Sequence, residues 1–224
     1  MLLQLALDDP AHLALLPALS EHVDIVEVGT PLLKRFGLAG IATVREVMGA
    51  GPALLVDSKT VDGGAEEAEM YFRLGADFMT VLAAAAPATL AAVARVASAH
   101  GGYAVADLIC SPSLPEQPDS FPDRIAYVLL HSATDVRRAG GGDDSNLARS
   151  QTLRRLGYQV ALAGGIGHHN LSQVIQAGPQ VVVVGSAITG AENPVEVARW
   201  ISAQMVDRGS GWPPSMKSVR SRRG

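Results

Sequence analysis

Ala53-Leu54-Leu55-Val56-Asp57-Ser58-Lys59-Thr60-Val61-Asp62-Gly63-Gly64 is the stretch that opens the rest of the chain to reading. Its four leading apolar residues show no polar alternation, as expected of a parallel strand buried on both faces. The run stops at a carboxylate and an ammonium two residues apart, which places both on one face of an extended strand. A glycine pair follows and marks a turn into the next element. Seven other runs have the same form: Leu2–Leu7, Val23–Val28, Phe78–Ala83, Tyr103–Ile109, Ile125–Leu130, Val160–Ala163 and Val181–Val184.

Helical signals lie between the runs. Asp9-Pro10 offers an N-cap and a proline at the first helical position, and Pro17 kinks or shortens the helix that runs on to Leu19. Gly63 to Leu74, Pro87 to His100 and Leu147 to Leu156 carry helical patterns, each closed by a glycine. Asn170 caps Leu171 to Ala177, and Asn193-Pro194 opens a last helix through Met205. Strands alternating with helices build either an open doubly wound sheet or a closed barrel. Eight strand signals predict the barrel, an α/β fold of the (β/α)8 TIM type, as one domain over residues 2–205. The chain has 224 residues, enough for one such barrel, which takes about 250 residues typically. One link is irregular: Pro112, Pro115, Pro118 and Pro122 exclude an ordinary helix between the fifth and sixth runs, leaving an extended crossover or a short turn.

Charge and composition exclude several functions. The net charge is −4, but residues 206–224 carry Arg208, Lys217, Arg220, Arg222 and Arg223 against Asp207. The remaining body has 13 basic and 21 acidic residues, so it offers no basic footprint for nucleic acid. Aromatic residues make up 4%, too few for a base-stacking platform. The basic tail, with Gly209, Gly211, Pro213 and Pro214, reads as a disordered, solvated end. Cys110 stands alone, so no intrachain disulfide forms and a cytoplasmic setting is expected. Residues 1–7 lack the basic start of a signal peptide, and no run of 18 apolar residues predicts a membrane span.

In a parallel barrel, chemistry collects at the carboxyl ends of the strands. Asp8, Glu27, Asp57 with Lys59, Asp107 and His131 all fall on or just after runs otherwise made of Leu, Val and Ala. Charged groups are seldom buried unless paired or liganded, so six of them at one end of a barrel point to a site. Glu27 and Asp57 are hard oxygen ligands suited to Mg²⁺. Lys59 can stabilise an enediolate oxygen or move a proton, and Asp62 in the turn beyond can pair with it or reach a neighbouring subunit. Gly164-Gly165 and Gly185-Ser186 end the last two strands, where barrels commonly bind phosphate through backbone N–H groups. His168 and His169 read as a helix-entry loop, and Trp200 as packing on the barrel.

Leu5-Ala6-Leu7-Asp8, Val26 to Leu32, the Asp57-to-Gly64 block and Gly185 to Gly190 together resemble the 3-hexulose-6-phosphate synthase family. That family sits among the orotidine-monophosphate decarboxylase-like, ribulose-phosphate-binding barrels, which share an Asp-x-Lys-x-x-Asp motif, here Asp57, Lys59 and Asp62. The resemblance covers about Leu2 to Gln204. It implies an aldol reaction between formaldehyde and D-ribulose 5-phosphate, or its reverse, through a Mg²⁺-stabilised enediolate. It implies Glu27 and Asp57 as metal ligands, and Asp8, Lys59, Asp62 and His131 as residues acting on substrate. Gly164, Gly165, Gly185 and Ser186 would grip the phosphate, and the family is usually a homodimer. A similar family, the 3-keto-L-gulonate-6-phosphate decarboxylases, usually has arginines where Thr134 and Ser186 stand here. Their absence favours the aldol reaction and implies a phosphate grip made mainly of backbone donors. A sugar-phosphate-binding regulatory protein without turnover is a third reading; it would not need the whole acid–base set.

Overall fold

A side chain on a β-strand faces one side and its neighbour the other, so in a closed parallel sheet every second residue enters the barrel. The computed structural model follows this rule; it describes residues 1–109, 111, 113–117, 120–140 and 145–205. The strands are β1 (Leu2–Leu7), β2 (Ile25–Val28), β3 (Ala53–Thr60), β4 (Phe78–Leu82), β5 (Tyr103–Asp107), β6 (Ile125–His131), β7 (Val160–Ala163) and β8 (Val181–Val184). They close into one barrel in sequence order, and β8 pairs parallel to β1 from Leu2↔Val181 to Leu5↔Val184.

The two faces pack separately. Leu2, Ile25, Leu55, Phe78, Tyr103, Val105, Tyr127, Leu129 and Val183 form an inner cluster. Their strand neighbours Leu3, Leu5, Val26, Val56, Met79, Val128 and Val184 pack outward with helix residues such as Val44, Phe72, Val93 and Ile201. Phe78 fills the interior beside Tyr103 and Tyr127, each ring 6.1 Å away.

The outer layer is α1 (Leu16–Leu19), α2 (Thr30–Met48), α3 (Gly64–Arg73), α4 (Pro87–His100), α5 (Thr134–Arg138), α6 (Ser145–Arg155), α7 (Leu171–Ala177), α8 (Ser186–Thr189) and α9 (Pro194–Gln204). Pro17 shortens the first segment as expected: residues Pro10–Leu15 form a 3-10 helix, with Asp9 capping the N–H of Ala11 at 2.8 Å, before α1. Helix α2 was not foreseen. Gly37 breaks it internally at φ 55°, ψ −141°, which interrupts the helical pattern that a sequence reading looks for. No helix joins β5 to β6 among the described residues, as the prolines require. That link is pinned by Tyr158, whose hydroxyl donates to the Gln117 carbonyl and whose ring meets Phe121 edge-on. Pro112, Pro118, Cys110, residues 141–144 and the basic tail 206–224 lie outside the described residues.

Two ladder irregularities aim the site. Between Val56↔Met79 and Thr60↔Val81, β3 advances four residues while β4 advances two. Between Ala104↔Ile125 and Val105↔Tyr127, β6 gains one residue on β5. A one-residue slip exchanges the faces of a strand, so this second bulge puts Tyr127, Leu129 and His131 inside.

Phe78 is fully buried at the centre of the interior cluster. Phe78→Ala is therefore expected to lower unfolding stability by about 3–5 kcal/mol in urea titration. A loss under about 1 kcal/mol would mean that the interior is not close-packed.

Candidate active site

Following the inward residues of each strand upward leads from apolar to ionisable groups. On β1 the sequence is Leu2, Gln4, Ala6, then Asp8; on β2 it is Ile25, then Glu27. On β3 it is Ala53, Leu55, Asp57, and on β5 Tyr103, Val105, Asp107. The sequence-predicted charges therefore gather at the carboxyl end of the barrel.

Lys59 stands at their centre. Its ammonium donates to Asp57 Oδ2 at 2.6 Å and Oδ1 at 2.8 Å, and lies 3.3 Å from Asp107 Oδ2. Its backbone is left-handed at φ 51°, the one non-glycine residue with positive φ among the described residues. Such a conformation costs about 1–3 kcal/mol and persists where the surroundings enforce it. Asp57 is held as firmly: Thr30 donates to Oδ2 at 2.8 Å and Thr80 to Oδ1 at 2.9 Å. Burial works against the Lys59 charge, but Asp57 and Asp107 outweigh it and raise the pKa, so Lys59 stays an ammonium.

The remaining groups are tuned by burial. Glu27 is pushed up to about 8, first by burial and then by the charge of Asp57. Gln4 donates to its Oε2 at 2.5 Å, and Tyr127 fixes Gln4 by donating to its Oε1 at 3.0 Å. Asp107, fully buried, is raised to about 6 by burial, with Lys59 opposing. Asp8 sits at the mouth, its carboxylate packed over Gly29, and burial and Asp57 raise its pKa. His131 is lowered to about 4 by burial, then by the positive charges of Lys59 and Arg137. Its buried Nδ1 has no hydrogen-bond partner among the described residues.

Asp8, Glu27, Asp57 and Asp107 thus share the Lys59 cation. The resulting excess of hard oxygen donors fits a divalent cation such as Mg²⁺. Glu27 Oε1 accepts no hydrogen bond from the described residues, whereas Asp57 has both oxygens occupied and would release Lys59 to bind an ion. No group of three His, Cys, Asp or Glu side chains forms a ready-made metal cage among the described residues.

The glycines after β7 answer a steric need. Gly164 has φ 97°, and a Cβ there would lie 2.4 Å from the Ser132 carbonyl oxygen. Gly165 has φ 71°, and a Cβ there would meet Arg137 Nη1 at 3.1 Å. Gly185 and Ser186 open the short helix α8, and a Cβ on Gly167 would lie 3.3 Å from that of Ala187, so the two loops touch. A cavity of about 320 Å³ adjoins the first loop; Ser132, Arg137, Asn146, Gly164, Gly165 and Asn170 contribute to its wall, which does not include Gly185 or Ser186.

Arg137 was missed in the sequence. Its Nε donates to the Ser132 carbonyl at 3.2 Å and its Nη2 to Thr134 Oγ1 at 3.0 Å. Nη1 donates to none of the described residues. Thr134, where an arginine was sought, instead orients an arginine one helical turn later. A guanidinium thus lies against Gly165. The signal was a basic residue in the last turn of α5, six residues after His131. Asp62 is not brought into the cluster. It is exposed in the bend after β3. His168 stacks on Trp200 at 4.6 Å, in keeping with a structural role.

Residues 1–201 match the Orotidine 5'-phosphate decarboxylase / HUMPS family. A 3-hexulose-6-phosphate synthase of Methylomonas aminofaciens is 35% identical over 198 residues, covering 88% of this chain and 94% of that protein. The crystal structure of 3-hexulose-6-phosphate synthase from Salmonella typhimurium superposes with a TM-score of 0.84 at 35% identity, covering 92% of this chain and 99% of that one. That of 3-keto-L-gulonate-6-phosphate decarboxylase from Vibrio cholerae gives 0.78 at 29% identity, covering 95% and 99%. No helix among the described residues is long and apolar enough to cross a membrane.

The His131 environment has a measurable consequence. The folded protein refuses a proton down to about pH 4, whereas the unfolded chain takes one up near pH 6.5. His131 therefore costs stability as pH falls from about 6.5 toward 4, and none above. Imidazole NMR should show it neutral at pH 5.5, and His131→Asn should flatten the stability profile over that interval. Titration of His131 near pH 6.5 would contradict this environment.

Proposed function

The chain belongs to the Orotidine 5'-phosphate decarboxylase / HUMPS family, and on that premise we propose that it is a 3-hexulose-6-phosphate synthase-type aldehyde-lyase. It joins formaldehyde to D-ribulose 5-phosphate, or runs the reverse. The observation that carries this reading is the Lys59 ammonium, fixed between Asp57 and Asp107 in a layer that also holds neutral His131.

In this reading the sugar phosphate enters from the carboxyl end of the barrel. Its phosphate is gripped by backbone N–H groups near Gly164, Gly165, Gly185 and Ser186 and by Arg137 Nη1. Glu27 and Asp57 would hold a Mg²⁺ ion, which would supply Lewis-acid polarisation of substrate oxygens. His131, neutral and with its Nδ1 unpartnered among the described residues, takes the C1 proton. Lys59 offsets the negative charge that develops on the enediolate oxygens. C1 then attacks formaldehyde; one C–C bond forms and the proton held by His131 passes to the new alkoxide. Asp107 retains Lys59 when Asp57 gives up its grip on the ammonium, and Asp8 lies at the mouth to contact sugar hydroxyls.

Thr134 and Ser186, in place of the arginines usual in the decarboxylases, favour the aldol reaction over loss of CO₂. We further propose a homodimer in which Asp62 reaches the partner's site. Exposed apolar side chains support it: Val61, beside Asp62, is 56% exposed, and Phe36, Leu38 and Met70 are 45%, 42% and 41% exposed.

Wild-type protein with Mg²⁺ should consume formaldehyde with ribulose 5-phosphate and release no CO₂ from 3-keto-L-gulonate 6-phosphate. The opposite pattern would assign the decarboxylase reaction. Tight sugar-phosphate binding without either turnover would assign a regulatory binder. Arg137→Ala should raise the KM for ribulose 5-phosphate about tenfold or more with a smaller change in kcat; an unchanged KM would place the phosphate elsewhere. Mixed dimers of Lys59→Ala and Asp62→Ala chains should regain activity if the site is shared, and verified mixed dimers without activity would exclude sharing.

A further inference from the structure

Thr80 lies on β4, on the inward face between Phe78 and Leu82, and is fully buried. Burying a hydroxyl in a strand of Phe, Met, Val and Leu is unfavourable unless its bonds are made. Here they are. Thr80 Oγ1 accepts the Lys59 backbone N–H at 2.8 Å and donates to Asp57 Oδ1 at 2.9 Å. The direction is forced, because a backbone N–H only donates and a carboxylate only accepts. The Thr80 carbonyl also accepts the Ser58 hydroxyl at 2.7 Å. These three bonds fall where the β3–β4 ladder lapses between Val56↔Met79 and Thr60↔Val81.

We propose that Thr80 is a positioning residue for the proposed aldol reaction: its one hydroxyl locks the left-handed backbone of Lys59 and the carboxylate of Asp57 in a fixed relation. The claim rests on the function proposed above. A regular strand would carry Lys59 past the interior in register with β4. The bulge frees the backbone to turn, and the Thr80 hydroxyl holds the turned peptide. The same oxygen points its proton at the carboxylate that grips the ammonium of Lys59. Backbone and side chain of Lys59 are thus referred to one atom, by a direct bond and through Asp57. Valine has nearly the shape of threonine and the same strand preference, yet can form neither hydroxyl bond.

The test compares Thr80→Val, Thr80→Ser and Thr80→Ala with wild type. Two readouts are taken: steady-state kinetics with ribulose 5-phosphate, formaldehyde and Mg²⁺, and NMR amide exchange at Lys59. Thr80→Val and Thr80→Ala should lower kcat about 10- to 100-fold, with the KM for ribulose 5-phosphate within about threefold, since the phosphate grip is untouched. Thr80→Ser should keep at least about a third of wild-type kcat, because the hydroxyl is retained. The Lys59 amide should exchange about tenfold faster or more in Val and Ala, but not in Ser. If the valine variant fails to fold, the serine–alanine pair decides, since both lose the methyl group and differ by the hydroxyl. Wild-type kcat in Val and Ala, or an equal loss in Ser and Ala, overturns the proposal. A wild-type protein inactive in this assay overturns the aldol reading and the catalytic part of this one with it. The amide exchange then still decides whether Thr80 holds Lys59.

Discussion

The Lys59 ammonium stands among carboxyl groups that would otherwise repel one another at the carboxyl end of the barrel, and the site depends on keeping it there. Asp57 grips it at 2.6 Å and Asp107 lies at 3.3 Å from the far side of β4. Burial raises Asp107 to about 6, with Lys59 opposing the rise. The ion pair is a poor source of stability, because desolvating two charges offsets much of their attraction. Its value lies in placement: a charged ammonium, fixed at the carboxyl end of the barrel where substrate oxygens would come.

That placement is made possible by the layers beneath. Phe78, Tyr103 and Tyr127 close the lower interior, so the polar residues above them have a floor to rest on. Tyr127 belongs to both worlds. Its ring packs on Phe78, while its hydroxyl begins a chain through Gln4 to Glu27. One oxygen of Glu27 is thereby committed downward, and the other accepts no hydrogen bond from the described residues. The β6 bulge matters for the same reason, because it sets the face on which both Tyr127 and His131 emerge.

Much of this was legible in the chain itself. Runs such as Val181–Val184 announced strands buried on both faces, and their count decided for a closed barrel. Asp8, Glu27, Asp57, Lys59 and His131 stood out because charge is costly on such runs, and the structure brings them to one end. What stayed hidden depends on three-dimensional partners. Gln4 sits in Leu2–Leu7 as an unremarked polar residue until Glu27 and Tyr127 are seen beside it. Thr80 passes for an ordinary strand residue, since threonine favours strands anyway. The left-handed turn at Lys59 has no local sequence cause, because lysine does not seek positive φ. Arg137 escaped notice because its use depends on the short helix α5 folding back over Gly165. Helix α2 was obscured by its own internal break at Gly37.

In the proposed reaction this layer removes a proton from C1 of a ketose phosphate and stabilises the enediolate that results. Proton exchange at C1 of ribulose 5-phosphate in heavy water, followed by NMR with Mg²⁺ and without formaldehyde, tests that step alone. Deuterium should appear at C1 with the wild-type protein, and incorporation should be at least about a hundredfold slower in Lys59→Ala and His131→Asn, since each removes a group acting at the transition state. No exchange by wild-type protein that binds the sugar phosphate, or exchange undiminished in the Lys59 variant, would contradict it.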